Sequence, residues 1–303
     1  MEQTRLNRRG MAAMTGATSA FAINDAAMKY LVADMAVSEA VILRGVIAVI
    51  AALIILWQAK QLFTLPAIWS RPVLVRALFE AAVVVTYMQA LRLMPLGLAT
   101  AILQATPLMI TAFAAISGKE TVGFARWMAV LIGFLGVLMI VQPDSSGISW
   151  AMSLAILTAF FVAVRDLSNR LVPAHVPTFL IVLAASIANI VGAGAYGLVA
   201  HEVWRMPSSF ELALILGAAL FVLAATFLIT LSFRGTEVSA VSPFRYVGVP
   251  VALGIGVLVW GEAPDLLATL GIILVIGAGL FAMRDEARRA KAQSLAASQE
   301  MSQ

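Results

Sequence analysis

Cysteine is absent from the 303-residue chain, which excludes a disulfide framework and any thiolate metal site. Histidine is almost absent. His175 and His201 are the only two, both at expected helix ends, so no imidazole cluster can hold a metal. Charged residues make up 12% of the chain, about half the share of a soluble domain. The carboxylates are too few and too spread for a metal cage. No HExxH, GxSxG or phosphate-loop motif occurs, so no catalytic constellation can be assembled and no cofactor is expected. No loop is long enough to form a nucleotide-binding part, which excludes a pump driven by ATP.

What the chain has in place of charge is apolar bulk. Hydrophobic residues reach 62%, against about 45–50% in a soluble domain, so lipid must be the solvent for most of it. Ten apolar stretches are long enough to cross a bilayer, at 11–33, 38–57, 72–92, 97–117, 123–142, 149–170, 176–200, 210–232, 238–259 and 264–283. Each approaches the ~20 residues that span about 30 Å of hydrocarbon as a helix. The runs are continuous and do not alternate with a period of two, so they are helices and not barrel strands. The first stretch has a basic lead-in, but its length, Asp25 and Lys29 make it a retained span and not a signal peptide.

Basic residues set the orientation. With the N terminus in the cytoplasm, the inner segments hold Arg5, Arg8, Arg9, Lys60, Arg71, Lys119, Arg126, Arg170, Arg234, Arg284, Arg288, Arg289 and Lys291, and the outer ones only Arg92 and Arg205. This is a strong positive-inside bias. It also accounts for the net charge of +4 without nucleic acid. Both termini are expected in the cytoplasm, the C-terminal one as a polar tail.

The second five spans read as a diverged copy of the first. Asp25 and Lys29 match Asp166 and Arg170, Gln104 matches Arg245, and Gly136 matches Gly277 at one constant offset; Glu120 matches Glu262 after a one-residue slip. Because five is odd, the copy enters the membrane inverted, an architecture common among secondary transporters. The expected fold is an all-α polytopic membrane protein, with ten transmembrane helices in two inverted five-helix repeats. Segment 1–10 is a cytoplasmic lead, 11–142 and 149–283 are the repeats, and 284–303 is the tail.

Ionisable groups within spans cost about 2.5–3.5 kcal/mol each at a helix centre, so they normally face protein or water. They are Asp25, Lys29, Arg44, Arg76, Glu80, Arg165, Asp166 and Arg245, with Arg170 at an edge. Asp25 and Lys29, four apart, share a helix face and can neutralise each other; Asp166 and Arg170 repeat the arrangement. Either they form two gates, or they are self-paired charges that snorkel to the headgroups. Arg76 and Glu80 form a third such pair near the midplane. Glu80 is either a proton carrier or half of a structural ion pair. Pro107 and Pro250 predict helix kinks at corresponding places, and Gln104 and Arg245 lie just before them as substrate contacts. Tyr87 and Tyr246 are chosen as cavity walls, because a phenol buried in a membrane needs a hydrogen-bond partner. Six tryptophans sit at span ends as an interfacial belt.

These features resemble the ten-helix EamA-type members of the drug/metabolite transporter superfamily over residues 11–283. The resemblance rests on RALFEAAVVVTYMQALRLMPLGLATAILQATPLMITAF, on the GKE turn at Gly118–Glu120 and on GFLGVLMIVQP. It is looser in SFRGTEVSAVSPFRYVGVPVALGIG and WGEAPDLLATLGIILVIGAG. It implies a bacterial inner-membrane carrier with a central cavity between the halves, to which the third, fourth, eighth and ninth helices contribute. The expected activity is secondary transport of a small polar or aromatic metabolite by alternating access, with riboflavin-like or S-adenosylmethionine-like compounds placed first and amino-acid or metabolite export as the alternative. The expected partners are that substrate, the bilayer and a coupling proton or other ion. A passive channel and a non-transporting membrane subunit are the readings from other classes.

Overall fold

A computed structural model describes the backbone of residues 2–116, 124–142, 149–169, 171–173, 175–232, 236 and 238–300. It describes their side chains except at 2–4, 114–116, 125–126, 169, 238–239, 242 and 286–300. The described residues form helices without a strand. They are α1 (Glu2–Asp34), α2 (Val37–Gln58), α3 (Arg71–Leu93), α4 (Leu96–Leu103), α5 (Thr106–Ile116), α6 (Phe124–Val141), α7 (Trp150–Asn169), α8 (Thr178–Val199), α9 (Ser209–Ser232), α10 (Val238–Val241), α11 (Gly248–Trp260) and α12 (Leu266–Glu300). Two 3₁₀ segments, Leu62–Trp69 and Ser242–Val247, complete the described helices.

Eight stretches are long and apolar enough to cross a membrane, and the chain is an all-helical polytopic membrane protein. Two expected spans lie outside those eight for separate reasons. The described apolar stretch of α6 is short, Trp127–Val141. α1 is long, but Asn24, Asp25 and Lys29 lower its hydropathy. The expected N-terminal lead is helical from Glu2 and continuous with α1, and the polar tail continues α12 to Glu300.

The kinks are displaced from the prolines that predict them. The fourth span is interrupted at Gln104–Ala105, just before Pro107, where Gln104 N donates to Ala101 O at 3.1 Å and Ala105 N to Ile102 O at 3.0 Å. Pro107 has no N–H for the Leu103 carbonyl one turn back; the Thr106 hydroxyl donates to it at 2.6 Å. The ninth span departs from α geometry over Ser242–Val247. Pro250 sits in the first turn of α11, where its missing N–H is tolerated.

Helices pack across the two halves of the chain more than within them. α1 lies along α9, α6 along α12, α2 along α8, and α3 along α7 and α8. Buried small residues, among them Ala99, Ala101, Ala155, Ala159, Ala193 and Ala252, allow this close approach, as small residues do where lipid gives no hydrophobic drive. One close backbone crossing joins α6 to α12. A Cβ on Gly271 would stand 2.6 Å from Gly136 O, and one on Gly136 would stand 2.7 Å from Gly271 O. Gly136 therefore meets Gly271, not its sequence match Gly277, which has open space around it. Gly271→Ala is expected to destabilise the bundle by about 1–3 kcal/mol through overpacking, and Gly277→Ala to leave it unchanged. Thermal unfolding of the two variants in detergent checks both.

Candidate functional site

A cavity of about 1380 Å³ occupies the middle of the bundle. Its walls come from α1, α2, α3, the interrupted α4–α5, α7, α8, α9, the Ser242–Val247 segment, the first residue of α11 and the middle of α12. All seven residues expected to contact substrate line it: Asp25, Arg76, Glu80, Tyr87, Gln104, Arg245 and Tyr246. Asp166 and Pro107 line it too, whereas Lys29 and Pro250 do not. A smaller cavity of about 390 Å³ adjoins it between the start of α8 and the end of α9, sharing Thr178 and Thr230.

Three polar clusters organise the walls. The first surrounds Asp25. Its carboxylate accepts from the Tyr87 hydroxyl at 3.0 Å and from Asn24 Nδ2 at 2.8 Å. The Oδ1 of the same Asn24 accepts from Arg44 Nη1 at 3.1 Å, so Asn24 bridges a buried cation and a carboxylate. The expected Asp25–Lys29 pair is not formed. Four residues of helix rise carry Lys29 about 6 Å further along the axis, out of the cavity and to other partners.

The second cluster joins α3 to α7. Glu80 Oε2 lies 3.6 Å from Arg76 Nη2, the expected pair, and 3.4 Å from Arg165 Nη1. Arg165 also holds Asp166 Oδ1 at 2.8 Å through Nη2 and 2.9 Å through Nε. The expected partner of Asp166 was Arg170, which lies outside the described residues, as does Glu120; the observed partner is its own neighbour Arg165. The third cluster is the meeting of the two interrupted spans, where Gln104 Nε2 donates to Arg245 O at 3.3 Å. Tyr246 is buried against α12, its hydroxyl lying where a Cβ on Gly279 would stand. Neither that hydroxyl nor Asn189 Oδ1 has a hydrogen-bond partner among the described residues.

The cavity is closed at the end where α1 finishes and α2 starts. Lys29 Nζ donates to Glu262 Oε1 at 2.6 Å and to Met94 O at 2.7 Å, and the other oxygen of Glu262 accepts from Leu96 N at 3.0 Å. The ammonium also lies 5.3 Å from the centre of the Trp260 ring. One ion pair thus ties α1 to the turns before α4 and before α12. A second tie lies alongside. Glu202 accepts from the Val37 and Ser38 amides at the start of α2, at 3.1 and 2.9 Å, and Trp204 Nε1 donates to Ser38 Oγ at 2.9 Å. A third joins α6 to α12 through Gln142 and Asp265 at 2.9 Å. The Ala268 amide and this Gln142 contact hold the Asp265 carboxyl below its ordinary range. Towards the opposite end the cavity lining extends to Arg76, Asp166, Thr178, Thr230 and Met283.

Arg44 and Arg165 were legible as arginines within spans but not as site residues. Asn24 and Asn189 carried no charge signal, and Glu262 lay in a short turn.

The EamA-like transporter family matches residues 8–142. A riboflavin transporter of Rhizobium johnstonii is 32% identical over 71% of this chain and 71% of its own. An S-adenosylmethionine uptake transporter of Rickettsia prowazekii is 27% identical over 65% of this chain and 66% of its own. One solved structure matches with a TM-score of 0.53 over 95% of this chain and 98% of its own, at 18% identity, a likeness of fold alone.

Proposed function

Because this chain belongs to the EamA-like transporter family, we propose that it is a secondary carrier that moves a small metabolite across the bacterial inner membrane by alternating access. The observation that carries this reading is a cavity of about 1380 Å³ with charged side chains on its walls, tied shut at one end by Lys29 and Glu262. Metabolite-sized ligands occupy pockets of roughly 300–1,000 Å³, so the space is ample. The helices number ten as spans, with α4–α5 and α10–α11 each counted once and α1 and α6 included.

The inverted repeat is supported by which helices touch. Exchanging the halves turns the α1–α9 contact into α7–α3, and maps α2–α8, α6–α12 and α4–α11 onto themselves; all of these contacts are present. Gln104 and Arg245, which match at the repeat offset, are hydrogen-bonded. The symmetry is not complete: α3 packs closely on α8 while their counterparts α9 and α2 touch less, and α1 packs on α3 while, among the described residues, α7 and α9 do not pack on one another. Unequal halves are what alternating access requires of any single state. With the termini in the cytoplasm, the tied end faces outward and this is an inward-facing form.

The cargo is a vitamin- or cofactor-like metabolite, of the kind the named relatives carry. Reconstituted in liposomes, the protein is expected to take up labelled riboflavin with saturation, and to take it up faster when unlabelled riboflavin is inside. Linear flux without that acceleration would establish a channel instead. Absence of any movement of riboflavin or S-adenosylmethionine would remove this cargo class.

A further inference from the structure

Among the described residues that line the cavity, four arginines stand against three carboxylates. The surplus can be located. Arg76, Arg165, Glu80 and Asp166 form a balanced quartet on α3 and α7. Arg44 and Asp25 balance each other through Asn24. Arg245 is left. Its carbonyl is engaged by Gln104, but among the described residues its guanidinium has no carboxylate within ion-pair reach. It stands exposed in the 3₁₀ segment where the two interrupted spans meet, beside Tyr246, and that segment packs on α1.

A guanidinium within a membrane bundle is costly unless paired or hydrated. A low-dielectric wall strengthens its field in the space it faces. It is also a fork shaped for carboxylate or phosphate oxygens. Resting on the reading of this cavity as the cargo site, we infer that the cargo is an organic anion, carrying a carboxylate or phosphate that docks on Arg245 with its apolar part against Phe21 and Ile110. Within the vitamin- and cofactor-like class, anionic members bind best, neutral ones such as riboflavin less tightly and net cations least, so S-adenosylmethionine is the weaker of the two cargoes tested above.

The cysteine-free chain allows a test that needs no knowledge of the natural cargo. Thr18 lines the cavity and lies against Gly248, three residues beyond Arg245. In Thr18→Cys protein, an anionic sulfonatoethyl methanethiosulfonate and a cationic trimethylammonioethyl one are compared, each relative to its rate with a free thiol. The anionic reagent is expected to be favoured by on the order of tenfold. Arg245→Gln should erase the preference and Arg245→Lys should keep it. Protection of the thiol by flavin mononucleotide beyond that by riboflavin would indicate a phosphate. Protection by indole-3-acetate beyond that by tryptamine would indicate a carboxylate. A cationic preference, a preference unchanged by Arg245→Gln, or protection by neither anion would overturn the inference, leaving saturable transport as a separate result. Failure of both reagents to reach the thiol would overturn it together with the open cavity itself.

Discussion

Lys29→Met opens the tied end of the cavity. The ammonium makes two short charge-assisted bonds, to Glu262 and to the Met94 carbonyl, with side chains only 9% and 20% exposed. Methionine keeps the length and apolar stem but removes both bonds, and leaves the Glu262 carboxylate with the Leu96 amide alone. Breaking a buried pair by removing one partner costs about 3–5 kcal/mol. Glu262 can recover part of this by reaching water when the end opens. A net ~3 kcal/mol against the closed end shifts the closed-to-open ratio by roughly a hundredfold. Two measurements follow it. A membrane-impermeant maleimide added from outside should label Thr100→Cys slowly in the parent and at least tenfold faster beside Lys29→Met. Uptake should fall by a similar factor, because a carrier that no longer seals outward spends little time exposing its cargo site inward. Glu262→Gln should act in the same direction but less, since a carboxamide oxygen can still accept from Lys29 and Leu96. Labelling from outside that stays slow in both variants would show that this ion pair only decorates an end closed by packing.

Much of this arrangement was legible before any coordinates, and the part that was not has a common cause. Span limits follow from apolar length, so α2, α3, α8 and α9 begin and end within a few residues of expectation. The cavity residues were legible because lipid tolerates few polar groups. An in-span Asp25, Glu80 or Arg245 has to face protein or water, and here they face one space. Pairing was the part that misled. Spacing of four says which side chains share a helix face, but nothing about what that face meets. Asp25 and Lys29 share a face and bond at different levels of the bundle, one to Tyr87 and Asn24 and the other to Glu262, 233 residues away. Asp166 bonds the residue beside it because α7 brings Arg165 against Glu80 of α3. The same holds for the kinks. Proline states which N–H is missing, while the bonds around Gln104 and Thr106 decide where the helix gives way.

The Glu80 prediction turns on the same distinction between a spacing and a contact. As half of an isolated pair with Arg76, Glu80 was free to be read as a proton carrier. In the bundle, one carboxylate oxygen is shared between Arg76 at 3.6 Å and Arg165 at 3.4 Å, and Arg165 in turn grips Asp166. Glu80 is thus the strut that lets two cations of adjacent helices stand on the cavity wall. Glu80→Gln keeps the shape and removes one charge, so the quartet carries an extra positive charge near the Arg44 guanidinium. Loss of two charge-assisted contacts in a cluster 18–22% exposed costs about 2–3 kcal/mol, less than a fully buried pair because the cavity admits water. Two consequences separate a strut from a proton carrier. A carrier residue, once neutral, uncouples accumulation from the proton gradient but spares cargo exchange. A strut, once removed, loses exchange and accumulation together, by about thirtyfold or more, without flattening the pH profile. Counterflow of labelled riboflavin in liposomes measures exchange, and uptake against an imposed pH gradient measures accumulation. Arg76→Gln added to Glu80→Gln restores the charge balance and is expected to recover thermal stability. Exchange that survives Glu80→Gln while proton-driven accumulation disappears would return Glu80 to the coupling role and leave the α3–α7 contact to Arg165 and Asp166 alone.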